Sequence, residues 1–278
     1  MPAIILIDDP LDPRIAPYRD VRERDLVGRD GHFIAEGAVV LRSLLTASRH
    51  AALSLLIAEK RVGGLMPLLD GLPEEVPVYT AGQAVLDAIA GFPLHRGILA
   101  LGRRAAEPEP DALLAGLGSG SGRRAVVLAL CGIGNHDNVG GIFRNAAAFG
   151  VDAVLLDSGC CDPLYRKAIR VSVGATLMVP FVRLAAGTDL VGLLERNGFQ
   201  AVSLSPAGAV ALAGLRRPGR AALLLGSEGP GLPASVLAHT RTVRIPMAAG
   251  FDSLNVATTS GIVLHHLTCV APPDPVPE

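Results

Sequence analysis

The sequence predicts an α/β protein built on a parallel sheet, with a smaller α/β segment ahead of it. Three observations carry this. Four C-terminal runs, AVVLAL (125–130), AVLLD (153–157), QAVSLS (200–205) and AALLLG (221–226), are predominantly apolar with little alternation, as in strands covered on both faces. Helical patterns separate them. The stretch 103–124 is rich in Pro, Gly, Ser and charge, and so divides the chain. The expected domains are therefore 1–102, a linker at 103–124 with one short helix, a main domain at 125–270 and a loose tail at 271–278.

In the first segment, FIAEG (33–37), LSLLIAE (53–59), VPVYT (76–80) and GILALG (97–102) read as strands. Residues 38–48 and 81–91 read as helices, with Thr80 and Gln83 as a capping box for the second. The last long helix is expected over 253–270, with Ser253 as its N-cap. Asn255 would then fall inside the helix, where asparagine is costly. No internal repeat is present.

Composition narrows the function. Of 278 residues half are hydrophobic and 18% charged, with a formal net charge of −1. That argues against a basic coat for nucleic acid and leaves room for a local patch. No apolar run approaches the roughly 20 residues that span a bilayer, and the N-terminus lacks the pattern of a signal peptide. Cys131, Cys160, Cys161 and Cys269 form no C-x-x-C pair, so reduced thiols in a cytoplasmic protein are expected. His265 and His266 are adjacent, do not share a helix face and have no third ligand at a suitable spacing, so no metal is expected.

Ligands of an open parallel sheet collect at the carboxyl ends of its strands. Three unusual loops follow such ends: CGIGNHDNVGG (131–141), GSEGPGLP (226–233) and PMAAGFDSLN (246–255). All three are expected at one crevice. The first opens a helix whose N-terminus and Arg144 can meet a phosphate. It is not a G-x-G-x-x-G fingerprint. The second places one carboxylate, Glu228, inside a glycine-rich turn that has no conformational need of it. In the third, Ile245 and Met247 can flank a flat apolar group.

The ordered set N-V-G-G-I-F-R-N-A (138–146), L-G-S-E-G-P-G-L (225–232) and I-P-M…S-L-N-V (245–256) resembles the three motifs of the SpoU (TrmH) branch of the SPOUT methyltransferases. The resemblance covers about residues 125–270. It implies a parallel α/β domain with a C-terminal trefoil knot, a homodimer, and methyl transfer from S-adenosylmethionine to a ribose 2′-hydroxyl of RNA; the separate N-terminal segment, compatible with a large structured RNA, slightly favours ribosomal over transfer RNA. It implies catalytic positions at Asn138, Arg144, Glu228, Ser253 and Asn255. It implies cofactor contacts at Leu225, Gly226, Ser227, Gly229, Ile245, Met247 and Leu254, with the glycines admitting the backbone to the cofactor.

The chain departs from the commonest pattern at Ala257, where serine often follows N-V, and at His136–Asp137, where proline is frequent. The glycine of the third loop, Gly250, stands beside Phe251 and Asp252. The first segment, through HFIAEGAVVLRSLL (32–45) with Glu36 and Gly37, more loosely resembles the family's N-terminal RNA-binding domain; a generic strand-to-helix turn accounts for the same residues. Arg14, Arg19, Arg22 and Arg24 lie near acidic residues and read as a solvated ion-pair surface. The alternatives are an RNA-binding module of this fold without turnover, and a methyltransferase with another acceptor. Guanidinium stays charged, so Arg144 is read as a phosphate and alkoxide ligand. Phosphate, water, Glu228 or His136 would take the proton.

Overall fold

Apolar runs of five to eight residues become strands wherever their neighbours can cover both faces. The computed structural model describes residues 3–19, 31–90, 96–118, 124–251 and 253–270. Arg22, Arg24, Asp252 and the tail 271–278 lie outside the described residues. The chain divides into two compact units, Met1–Ala106 with Asp162–Met178, and Glu107–Cys161 with Val179–Glu278.

The first unit carries a five-stranded mixed sheet. Its elements are β1 (Ile4–Ile7), β2 (His32–Glu36), α1 (Ala38–Thr46), β3 (Ala51–Ala58), α2 (Glu59–Leu69), β4 (Val78–Ala81), α3 (Gln83–Ala90) and β5 (Ile98–Arg103). The sheet order is β1-β4-β3-β5-β2. β5 runs antiparallel to β2 and β3, whereas β1 and β3 run parallel to β4. Thr80 is a buried β4 residue rather than a cap, and α3 begins only at Gln83, because the β4–β1 pairing extends to Ala81. β1 and α2 were not foreseen. β1 is a four-residue edge strand, and α2 contains Gly63, Gly64 and Pro67, residues that punctuate a sequence reading. Residues 162–178, with α6 (Arg166–Val171) and α7 (Ala175–Met178), join this unit through packing on β2 and α1.

The second unit carries seven strands, ordered β10-β12-β9-β11-β6-β7-β8. They are β6 (Ala125–Cys131), β7 (Ala153–Leu156), β8 (Phe181–Arg183), β9 (Gln200–Leu204), β10 (Val210–Ala211), β11 (Arg220–Gly226) and β12 (Arg241–Arg244). Every pairing is parallel. The central strands β6 and β7 are buried along their whole length, which is why their sequences do not alternate. The helices are α4 (Pro110–Gly116), α5 (His136–Ala148), α8 (Leu190–Arg196), α9 (Ala234–Ala238) and α10 (Val256–His265).

The span read as a linker holds α4, which belongs to this unit. Asp111 of α4 accepts hydrogen bonds from Arg196 and Asn197 at 2.7–2.8 Å. The Arg220 guanidinium donates to the carbonyls of Leu114 and Leu117 at 3.0 and 2.6 Å, closing the C-terminal end of α4. The final helix starts at Val256, and His266–Val270 winds on as a π-helical turn.

Candidate active site at the carboxyl ends of the second sheet

β9, β11 and β12 end side by side, and the loops that leave them enclose a cavity of about 370 Å³. Leu204, Ser205 and Pro206 line it after β9; Leu225–Gly229 and Gly231 after β11; Ile245 and Met247 after β12. Ser253, Leu254, Asn255, Val256 and Thr259 close it from the start of α10. All seven expected cofactor contacts therefore face one space. Ser205, Pro206 and Thr259 were not singled out, although the rule that ligands collect at strand ends already pointed to the end of β9.

The turn after β11 shows why its sequence is glycine-rich. Gly231 N–H donates to Ser227 C=O at 3.1 Å and folds the loop back on itself. A Cβ on Gly226 would lie 2.3 Å from the carbonyl carbon of Gly231 and 2.4 Å from Leu232 N. Gly226 thus makes room for the loop's own backbone. Gly229, at φ +87°, supplies the left-handed step of the turn with open space beside it.

This fold-back presents Glu228 to two amides. Its Oε1 accepts from Asn138 Nδ2 at 3.0 Å and from Asn255 Nδ2 at 3.3 Å. Asn255 Nδ2 also donates to Asn138 Oδ1 at 2.8 Å. The three residues come from α5, the turn after β11 and the entry to α10, one from each motif. Glu228 Oε2 accepts no hydrogen bond from a described residue. Asn138 is buried and Glu228 exposed, so the cluster runs from the interior out to the cavity rim.

Asn255, not Ser253, caps α10. Its Oδ1 accepts from Ala257 N and Thr258 N at 2.9 and 3.2 Å, which removes the apparent cost of asparagine inside a helix. Ser253 lines the cavity two residues earlier. The first loop does not line the cavity; Asn138 reaches its rim through Glu228 and Asn255. α5 is capped by Asn135, whose Oδ1 accepts from Asp137 N at 2.8 Å.

Arg144 is exposed and makes no hydrogen bond or ion pair with another described residue. Six residues along a helix turn it about 120° away from Asn138, so its face is open to solvent. Asn145, seven residues on, returns to the Asn138 face. Of the two adjacent histidines, His266 Nε2 lies 3.0 Å from Leu215 C=O and His265 packs edge-on to Phe149. Among the described residues no group of three His, Cys, Asp or Glu could hold a metal. Among the described residues no helix is long and apolar enough to cross a membrane.

A parallel sheet, a cavity at its carboxyl ends and a polar cluster assembled from three separated motifs define a SpoU-type methylase domain. Residues 125–265 match the SpoU rRNA Methylase family. The chain is 40% identical over 270 residues to an uncharacterized tRNA/rRNA methyltransferase of Mycobacterium bovis, covering 94% of this chain and 90% of that protein. It is 30% identical over 205 residues to the 23S rRNA (guanosine-2′-O-)-methyltransferase RlmB of Salmonella typhi, covering 72% and 82%. Its fold resembles that of an AdoMet-bound rRNA methyltransferase from Sinorhizobium meliloti, with a TM-score of 0.80, 21% identity and coverage of 95% and 97%. The chain belongs to the SpoU rRNA methylase family.

Proposed function

We propose that the protein methylates a ribose 2′-hydroxyl of RNA, ribosomal RNA in preference to transfer RNA, using S-adenosylmethionine. The observation that carries this is the Asn138–Glu228–Asn255 cluster at the rim of a cavity lined by the second and third motifs. A volume of about 370 Å³ falls within the range of small-molecule sites. Its walls offer apolar side chains, Leu225, Ile245, Met247 and Leu254, beside the backbone of Gly226, Ser227 and Gly229, and this mixture suits a flat purine on a polar chain. The cofactor supplies an electrophilic methyl carbon on a sulfonium, already a good leaving group.

The chain's own task is alignment and the handling of one proton. Two neutral amides tie Glu228 Oε1 and fix the carboxylate plane, leaving Oε2 open to take the hydrogen bond and then the proton of the 2′-hydroxyl. Arg144, exposed and unpaired among the described residues, holds the adjoining phosphate and draws negative charge away from the oxygen. The first unit serves as the RNA platform. The knot, the homodimer and the cytoplasmic location belong to the same reading. The M. bovis relative, which aligns over both units, supports one shared architecture.

The experiment is methyl transfer from methyl-labelled S-adenosylmethionine to undermodified ribosomal and transfer RNA, followed by digestion to nucleosides. A labelled 2′-O-methylnucleoside from ribosomal RNA is expected. Label on a base, or cofactor binding with no transfer, overturns the reading. Arg144→Lys keeps the charge but loses the bidentate fork, and it is expected to raise the KM for RNA and lower kcat by roughly tenfold or more.

A further inference from the structure

α5 and α10 touch along a strip where neither has bulk. A Cβ on Gly141 would come 2.8 Å from Ala257 Cβ, and one on Gly261 would come 3.2 Å from Asn145 Nδ2. Asn145 lies in this strip. Its Nδ2 donates to Ala257 C=O at 2.7 Å and to Ser260 Oγ at 2.9 Å. Ser260, fully buried, donates from Oγ to the same carbonyl at 2.7 Å. Ala257 is therefore gripped at both ends of its backbone unit, its N–H by Asn255 and its carbonyl by Asn145.

The plain account of Asn145 is a half-buried amide that must find partners. The location of those partners asks for more. Seven residues are close to two helical turns, so Asn145 shares the α5 face that carries Asn138, within about 20°. One helix face thus holds both an arm of the polar cluster and a clasp on the first turn of α10, the turn that Asn255 caps. The Asn255–Asn138 bond is 2.8 Å long. Lengthened by about 1 Å, that bond would lie beyond hydrogen-bonding distance, so the placement of α10 on α5 bears directly on it.

We propose that Asn145 is a positioning residue for methyl transfer: it sets the register of α10 on α5 in which Asn255 meets Asn138 and Glu228. The catalytic half of this statement rests on the activity proposed above; the register half does not. Asn145 hydrogen-bonds to Ala257 and Ser260, neither of which lines the cavity at the ends of β9, β11 and β12, whereas Val256 and Thr259 of the same helix do. Its loss should therefore reach turnover first and cofactor affinity to a smaller degree.

The test uses the full chain. Asn145→Asp keeps the shape but removes both donors and sets an oxygen against Ala257 C=O. Ser260→Ala removes one of the two acceptors and is the milder variant should the first fold poorly. Phe143→Leu, a core truncation on the opposite face of α5, where Phe143 packs edge-on to Phe181, serves as the stability control. The readouts are the side-chain amide NMR resonances of Asn138 and Asn255, cofactor affinity by calorimetry, and kcat and KM for RNA.

In Asn145→Asp the two amide resonances are expected to move, kcat to fall roughly 10- to 100-fold, as misplacements of this size do, and cofactor affinity to fall by clearly less than kcat. Ser260→Ala should shift the same resonances by less, and Phe143→Leu should move neither resonances nor kcat. Unmoved resonances in both clasp variants overturn the proposal, whether or not RNA proves to be the acceptor. An equal loss of kcat in Phe143→Leu overturns the specific role and leaves a merely structural one. Moved resonances in a protein that methylates no RNA would uphold the register and reject the activity.

Discussion

Asn255 does two jobs with one amide group. Its oxygen caps α10, and its nitrogen joins α10 to the polar cluster. The jobs separate chemically. Asn255→Asp retains an excellent cap but has no proton to give and faces Glu228 with a second carboxylate. Its unfolding free energy should stay within about 1 kcal/mol of native while methyl transfer falls at least roughly a hundredfold, as when one aligned donor is lost. Asn255→Ala loses the cap as well, and chemical denaturation should show a further cost of about 1 kcal/mol. At this scale the sequence was half legible. Asn255 was marked as important, but Ser253 was given the cap, because serine and asparagine are near equals there and only the backbone decides between them. Arg144 and Asn145 are neighbours in one motif, yet helix geometry sends one to solvent and the other toward α10.

The fold-back after β11 makes a prediction for an element. Gly226→Ala sets a methyl against the backbone of Gly231 and Leu232, which cannot swing aside as a side chain can. The turn must open, at a cost of about 1–3 kcal/mol, and S-adenosylmethionine binding should be lost before the sheet unfolds; calorimetry and circular dichroism together would show the order. A second prediction concerns α4. Hydrogen bonds from Arg196 and Asn197 hold the Asp111 carboxyl down to about 2. A carboxyl with a folded pKa below its unfolded value stabilises the fold above that unfolded value, near 4, and the contribution disappears as pH falls from about 4 toward 2. Asp111→Asn should lower stability at neutral pH only slightly, since the pair is exposed, and the difference from the native protein should close as pH falls from about 4 toward 2.

Elements were the most legible scale. Long apolar runs gave the four strands β6, β7, β9 and β11 to within a residue or two. The strands at the margins of the sheet were not read. β12, next to the edge, is RTVR, with only Val243 buried, and the edge strands β10 and β8 have two and three residues. Such strands are defined by the partner they pair with, and periodicity carries no trace of the partner.

For the whole molecule, charge and chain order matter more than any single bond. With a formal net charge of −1 the protein has no general attraction for a polyanion, so its RNA affinity must come from a few local cations. A plot of log affinity against log salt should accordingly give a shallow slope, equivalent to roughly three or four phosphate contacts. A slope near ten would mean a far larger basic surface. The boundary between the units was read at 103–124. The return of residues 162–178 to the first unit was not legible, because those residues carry no compositional mark and are assigned by what they pack against.

That return has a consequence for how the protein is made. The first unit is finished only by residues 162–178, yet β6 of the second unit precedes them. The partner that β6 needs on its other flank, β11, begins only at Arg220. A ribosome adding about 5–20 residues per second must therefore hold an unfinished first unit and an unpaired, wholly apolar strand together for several seconds. Neither unit can be completed before the other is begun. Truncated chains released at residue 150 should be captured by chaperones, and chains released after residue 230 should largely escape them.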